Sequence, residues 1–122
     1  MQSNPTPTEI KLTYARRELQ VTFDDGRRFD LSSEYLRVYS PSAEVKGHGG
    51  EGVLQVGKEH VQIIDIQPVG NYCIKLVFDD GHDTGLYTWT LLYELCRDKE
   101  TKWQAYLARL TAAGHAHAGQ TE

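Results

Sequence analysis

The apolar positions near the start of the chain alternate. Ile10, Leu12 and Tyr14 point one way and Lys11 and Thr13 the other, and Leu19, Val21 and Phe23 alternate with Gln20 and Thr22. A period of two over short β-branched and aromatic runs predicts half-buried strands. Asp24-Asp25-Gly26 follows, with glycine supplying the positive φ of a tight hairpin turn. Phe29 and Leu31 continue the alternation on the return strand, and Ser32 or Ser33 can cap a short helix through Leu36 and Val38. The same order comes round again. Strand Tyr72–Phe78 ends in Phe78-Asp79-Asp80-Gly81, and Leu86 is followed by Thr88 as N-cap of a helix through Leu91. A single offset of 55 residues (24 to 79) carries Phe23, Gly26, Leu31 and Leu36 onto Phe78, Gly81, Leu86 and Leu91. Any hairpin followed by a helix converges on part of this pattern. The shared Phe-Asp-Asp-Gly with apolar positions on both sides argues for structural duplication, with two units too few for a solenoid.

Between the units, Ser40 to Gly57 holds five glycines and few apolar anchors, which predicts a long mobile loop. A strand His60–Ile66 comes next, ended by Pro68 and a turn at Gly70-Asn71. Further on, Trp89, Leu92, Tyr93 and Cys96 fall at i, i+3, i+4 and i+7, as do Trp103, Tyr106, Leu107 and Leu110, so the last third is helical. Arg97-Asp98-Lys99-Glu100 either joins two helices or forms a solvated stretch of one. The expected organisation is a disordered tail over 1–8, one domain over 9–112 and a disordered tail over 113–122. The fold class is α+β: a small antiparallel or mixed sheet domain with a duplicated strand–turn–strand–helix unit and a C-terminal helical segment.

A chain of 122 residues suits one domain with a single core. Its net charge of −4 creates no field that would draw nucleic acid. The basic pairs Arg16-Arg17 and Arg27-Arg28 sit beside Glu18, Asp24 and Asp25 and read as solvated turns. Two cysteines, Cys73 and Cys96, are too few for a secreted disulfide scaffold, and residues 1–8 lack the basic start and apolar run of a signal peptide. No apolar stretch approaches a membrane span. A cytoplasmic protein is expected on these grounds.

Candidate chemistry is sparse. Gly47-His-Gly-Gly-Glu-Gly52 spells a dinucleotide-type glycine motif, but strand-like residues follow it where a helix N-terminus is needed, so a flexible loop is the better reading. Ser40 or Ser42 with His82 and an aspartate can be written as a triad, yet there is no strand–turn–helix nucleophile elbow. Cys73 in a strand and Cys96 on an apolar helix stripe read as packing groups. His115 and His117 could face one side of a tail that lacks a scaffold, and a solvated tail is the simpler account. His48, His60 and His82 are scattered, and the local His-x-Asp signature of a non-haem iron site is absent.

Leu36-Arg37-Val38-Tyr39-Ser40-Pro41-Ser42-Ala43-Glu44-Val45, Val69-Gly70-Asn71-Tyr72 and Asp80-Gly81-His82-Asp83-Thr84-Gly85-Leu86-Tyr87-Thr88-Trp89 together resemble the gamma-butyrobetaine hydroxylase-like N-terminal domain, a bacterial family otherwise labelled a domain of unknown function. The resemblance runs from about Glu9 to Leu95. In the eukaryotic hydroxylases of the family this domain precedes a separate oxygenase domain holding the catalytic iron, which is missing here, so the resemblance implies no hydroxylation and no enzyme. Relatives bind zinc through Cys-Pro-Cys-x-x-Cys and a later histidine. This chain matches the histidine with His82 and has Ser40, Ser42 and Val45 at the cysteine positions. A hydroxyl stays protonated and a valine cannot ligate, so the implied metal site is degenerate and no cofactor is expected. His82 is left as its remnant, with Glu44, His48 and Asp83 as possible helpers. The leading expectation is a non-catalytic accessory module with an interaction surface of Arg37, Ser40, Pro41, Ser42, Glu44, His48 and His82, meeting another protein and neither nucleic acid nor membrane. The alternative is a zinc- or iron-binding accessory of iron or iron–sulfur handling, since related domains are fused to iron–sulfur cluster carriers.

Overall fold

The alternating runs form strands and the capped runs form helices. The structure, a computed structural model, describes residues 5–13, 15–46, 52–115 and 117. Strands β1 (Pro7–Thr13), β2 (Glu18–Phe23) and β3 (Arg28–Ser32) make one three-stranded antiparallel sheet, and helix α1 (Ser33–Val38) follows. After a short helix α2 (Ala43–Lys46), strands β4 (Ile63–Pro68), β5 (Cys73–Phe78) and β6 (Leu86–Thr88) make a second antiparallel sheet, followed by α3 (Trp89–Arg97) and α4 (Lys99–Ala112). No parallel pairing occurs among the described residues. Helix α2 and the buried Ser40, Ser42 and Val45 interrupt the long stretch expected to be a loop, while residues 47–51 lie outside the described residues, as does Tyr14. The expected strand His60–Ile66 is displaced. Pairing begins only at Ile63 opposite Phe78, and Pro68 ends the strand inside the ladder, opposite Ile74, on a sheet edge where its missing N–H costs nothing.

The two sheets with their first helices are copies of one unit. Gly26 and Gly81 sit at φ +88° and +90°, where L side chains are strained. In each turn the phenylalanine N–H donates to the residue four places on, Phe23 to the Arg27 carbonyl and Phe78 to the His82 carbonyl, both at 2.9 Å. The first aspartate of each turn donates back to the chain before the first strand, Asp24 to the Thr6 carbonyl and Asp79 to the Gln62 carbonyl. Both first strands carry a register shift at the same place, between Pro7 and Glu9 and between Ile63 and Asp65. Ser32 and Thr88 cap their helices alike, accepting from the N–H groups of Tyr35 and Leu91.

The offset is not constant through the unit, and here the expected correspondence needs correction. It is 55 residues through β2, β5 and the turns, but 56 at the caps, Ser32 to Thr88. One residue is gained between Gly81 and β6. The inward position of Leu31 is therefore taken by Tyr87, with no exposure, while Leu86 is turned out and 46% exposed. Likewise Leu36 corresponds to the buried Leu92 and not to Leu91.

Each unit holds the other. Arg27, after the first turn, donates to the Tyr93 hydroxyl of α3 at 2.8 Å, and Asp80, in the second turn, accepts from Arg37 Nε of α1 at 2.8 Å. Arg37 and Tyr93 occupy the same place in their helices, five residues past the cap. Between these contacts lies one core of Leu19, Val21, Phe23, Leu31, Leu36, Ile74, Leu76, Phe78, Tyr87, Leu92 and their neighbours, with Trp89 packed at its margin. Tyr35 and Tyr87 cross it and spend their hydroxyls on the Leu95 and Leu36 carbonyls, at 2.7 and 2.6 Å. Helix α4 lays Tyr106 and Leu110 on Val38 as a second, smaller cluster.

Asp98 joins α3 to α4, so the Arg97–Glu100 stretch is a junction and not the middle of one helix. The chain beyond α4 also departs from expectation. Gly114 at φ +84° reverses it, and His117, expected in a solvated tail, is buried with Nε2 2.6 Å from Glu34 Oε2, an oxygen that also accepts the Tyr106 hydroxyl. A buried carboxylate needs such partners, and α4 and the residues after it bring them.

Phe23 and Phe78 are both 1% exposed at equivalent places. Truncating either to alanine is expected to cost about 3–5 kcal/mol of unfolding free energy, by similar amounts for the two, as read by urea denaturation.

Candidate functional site

The residues singled out in the sequence meet where the chain leaves α1 and passes the turn of the second unit. Tyr39 ends α1, so Ser40 and Pro41 break away from the helix axis and Ser42 starts α2, accepting from the Val45 and Lys46 N–H groups through its carbonyl. From the other side, the Phe78–Gly81 turn delivers His82, and the extra residue of the second unit makes room for Asp83, Thr84 and Gly85 to arch over it.

Ser40 is the centre of this corner. Its Oγ and His82 Nε2 share a hydrogen bond of 2.8 Å, and the Ser42 N–H donates to the same Oγ at 3.2 Å. Ser42 Oγ is bonded to Thr84 Oγ1 at 2.7 Å. Ser40 is 2% and His82 6% exposed. Gly85 lies so close that a Cβ there would stand 2.4 Å from Ser40 Oγ, with Pro41 and the Tyr87 ring at 3.3 Å. Burial drives the Tyr87 phenol pKa upward, with the Ser40 hydroxyl opposing the shift, so Tyr87 is a neutral donor to the Leu36 carbonyl. Together the two serines tie α1, α2 and the His82 turn into one hydrogen-bonded corner.

A second group of charges braces it. Asp80 Oδ1 accepts the His82 N–H at 3.1 Å, while Oδ2 accepts Arg37 Nε at 2.8 Å and Lys58 Nζ at 2.7 Å. Arg37 also donates to Gln55 Oε1. Burial pushes the Asp80 carboxyl up, but the Lys58 ammonium, the His82 N–H and the Arg37 guanidinium outweigh it and hold the pKa at about 2. Asp80, Lys58, Gln55 and Thr84 were not among the sequence candidates. Asp80 had a signal, since the shared Asp-Asp-Gly gives Asp25 the same bond to the Arg27 N–H.

The arrangement speaks against the chemistries the sequence allowed on paper. A Ser–His–Asp triad needs a carboxylate on the ring and an accessible hydroxyl. Here the second condition fails, because the Ser40 hydroxyl is buried and enclosed by Gly85, Pro41 and Tyr87. For a metal, His82, Ser40, Ser42 and Val45 supply one imidazole, two neutral hydroxyls and an isopropyl group, which is not a zinc donor set. His82 Nε2 faces the Ser40 hydroxyl. Among the possible helpers, Asp83 is exposed, Glu44 falls in α2 with its side chain outside the described residues, and His48 lies outside them altogether. Among the described residues no three His, Cys, Asp or Glu side chains gather as a metal cluster. The cysteines are free; burial raises both thiol pKa values, that of Cys96 to about 12, so neither is poised as a nucleophile. Arg37, Ser40, Ser42 and His82 are all buried, so whatever surface they make is shaped from beneath.

Fold and corner together define a small α+β domain made of two interlocked strand–turn–strand–helix units around an internally bonded polar junction. The chain belongs to the family described as gamma-butyrobetaine hydroxylase-like, N-terminal, whose model matches residues 10–93. Two solved NMR solution structures are similar to it: one at 45% identity and TM-score 0.80, covering 97% of this chain and 94% of that one, the other at 50% and 0.79, covering 98% and 94%. A crystal structure of a protein of unknown function from Acidithiobacillus ferrooxidans, of the DUF971 family, is 38% identical with TM-score 0.63, covering 76% of this chain and 97% of that one. No curated protein matches the chain. Among the described residues no helix is long and apolar enough to cross a membrane.

Two outcomes test the corner. Asp80→Asn is expected to cost about 2 kcal/mol at neutral pH. Because the folded pKa, about 2, lies below the ordinary 3.8, that contribution is present above 3.8 and is lost as pH falls towards 2, so urea midpoints of variant and parent should converge there. Gly85→Ala should destabilise by about 1–3 kcal/mol through overpacking against Ser40, read as a lowered Tm.

Proposed function

We propose that this protein is a non-catalytic accessory module that works by presenting a shaped surface to another protein, and that its family metal position is replaced by hydrogen bonds. The observation that carries this reading is the 2.8 Å bond between Ser40 Oγ and His82 Nε2 in a corner that is almost wholly buried. The ring nitrogen that would face a metal is occupied by a hydroxyl, and the hydroxyl that would act as a nucleophile is enclosed. Polar groups buried in this way fix geometry; they do not turn over substrate. What remains outside is the rim above the corner, where Ala43, Lys46, Val53, Asp83 and Thr84 are exposed and Pro41 is half-buried. Such a rim, rigid because the corner beneath it is fully bonded, is suited to recognition without paying an ordering cost on binding. The resemblance to domains fused with iron–sulfur cluster carriers makes a carrier of that kind the first partner to try.

The reading is tested against its metal-binding rival by elemental analysis of protein purified without an affinity tag and dialysed. The expected result is zinc and iron far below one per chain, with a Tm unchanged by chelator, and His82→Ala lowering the Tm equally with and without chelator. Stoichiometric zinc or iron that survives dialysis and is abolished by His82→Ala would overturn the proposal and leave a metal-handling accessory in its place.

A further inference from the structure

Away from the polar corner, β3, α1 and α4 enclose a pocket of about 220 Å³. Tyr35, 1% exposed and with its hydroxyl spent on the Leu95 carbonyl, closes the pocket floor, and the half-buried Trp103 is the aromatic surface left to a guest. Trp103 forms a wall, held edge-on to Tyr35 with centroids 6.4 Å apart. Behind it Trp103 packs on Tyr106 and His117, so the segment after α4 helps fix the indole. The remaining lining carries charge. Glu18, Asp30 and Glu100 contribute three carboxylates against a single lining ammonium, Lys99. Lys99 Nζ is drawn aside to the Asp30 main-chain carbonyl at 2.6 Å, and Asp30 Oδ1 accepts from Gln20 Nε2. The pocket thus has an aromatic interior and an anionic rim.

We propose that this pocket is an anchor site for the cationic end of an arginine or lysine side chain displayed by a partner protein. An aromatic wall attracts a guanidinium or ammonium through the ring quadrupole and covers its methylene stem, and the surplus of carboxylates steers it in. The volume is that of one long side chain and lies below the roughly 300–1,000 Å³ of small-molecule and cofactor sites. A single buried cationic or aromatic anchor is also how compact interfaces concentrate their energy. The inference does not rest on the Ser40–His82 reading, since the pocket uses none of those residues.

The test is an NMR titration of the full ¹⁵N-labelled chain with the capped peptide acetyl-Gly-Ser-Arg-Ser-Gly-amide, with the same peptide carrying neutral citrulline, and with free ethylguanidinium. The arginine peptide is expected to move the Trp103 indole N–H and the Lys99 and Glu100 amides saturably, at millimolar affinity that weakens with salt, while the citrulline peptide does not. The double variant Glu18→Gln, Glu100→Gln changes one half-buried and one exposed side chain, keeps the parent's Tm and should weaken the arginine peptide by about fivefold. No saturable shift at Trp103, an equal response to citrulline, or unchanged affinity in the double variant would overturn the site. Ethylguanidinium binding as tightly as the peptide would overturn the partner assignment in favour of a small free cation.

Discussion

The structure depends on a reciprocal grip: each hairpin turn is held by the helix that belongs to the other hairpin. A three-stranded sheet with one short helix, at roughly 30–40 residues, buries too small a share of its surface to be stable alone. Here Arg27 reaches Tyr93 and Arg37 reaches Asp80, so two marginal units close one core between them. The buried Tyr35 and Tyr87 hydroxyls satisfy carbonyls near the end of α3 and within α1, and they act as pins across the same seam. The polar corner follows from this arrangement. Ser40 comes directly off the end of α1, and α1 is placed by the second unit's turn, so His82 and Ser40 have no choice but to meet.

The two copies have diverged at that seam. In the first unit the turn is braced on the surface, where Asp25 pairs with Arg27 and the guanidinium lies over the Phe29 and Tyr93 rings. In the second, the same Asp-Asp-Gly is drawn inward, with Asp80 shared between Arg37 and Lys58. One added residue after the second turn accounts for the difference in shape. It lets Thr84 reach Ser42 and lets Gly85, without a Cβ, press against Ser40. A duplicated scaffold has therefore kept a symmetric core and put the Ser40–His82 cluster on a single side.

Much of the fold is legible in the chain because it is local. The period-two runs, the Ser32 and Thr88 caps and the glycines of both turns are dictated by backbone chemistry within a few residues. What the pattern misplaces is register. Leu86 and Leu91 look apolar enough to be inward, but a one-residue gain in a turn exchanges the faces of a strand, and Tyr87 and Leu92 are the residues that reach the core. His117 is invisible for another reason: its partners Glu34, Trp103 and Tyr106 lie on two different helices. At the corner, His82 and both serines could be named from the resemblance, and the degenerate donor set could be argued from chemistry. Their mutual hydrogen bond is a tertiary fact, as is the Arg37–Asp80–Lys58 brace.

On the proposed reading a hydrogen bond, not a shared ion, holds Ser40 and His82 together. A double-mutant cycle on Ser40→Ala and His82→Ala tests it most directly, with unfolding free energies measured by urea in the presence of excess chelator. A favourable coupling of about 1–2 kcal/mol is expected, the same after adding zinc or iron. Coupling that is absent in chelator and emerges only with metal would contradict it.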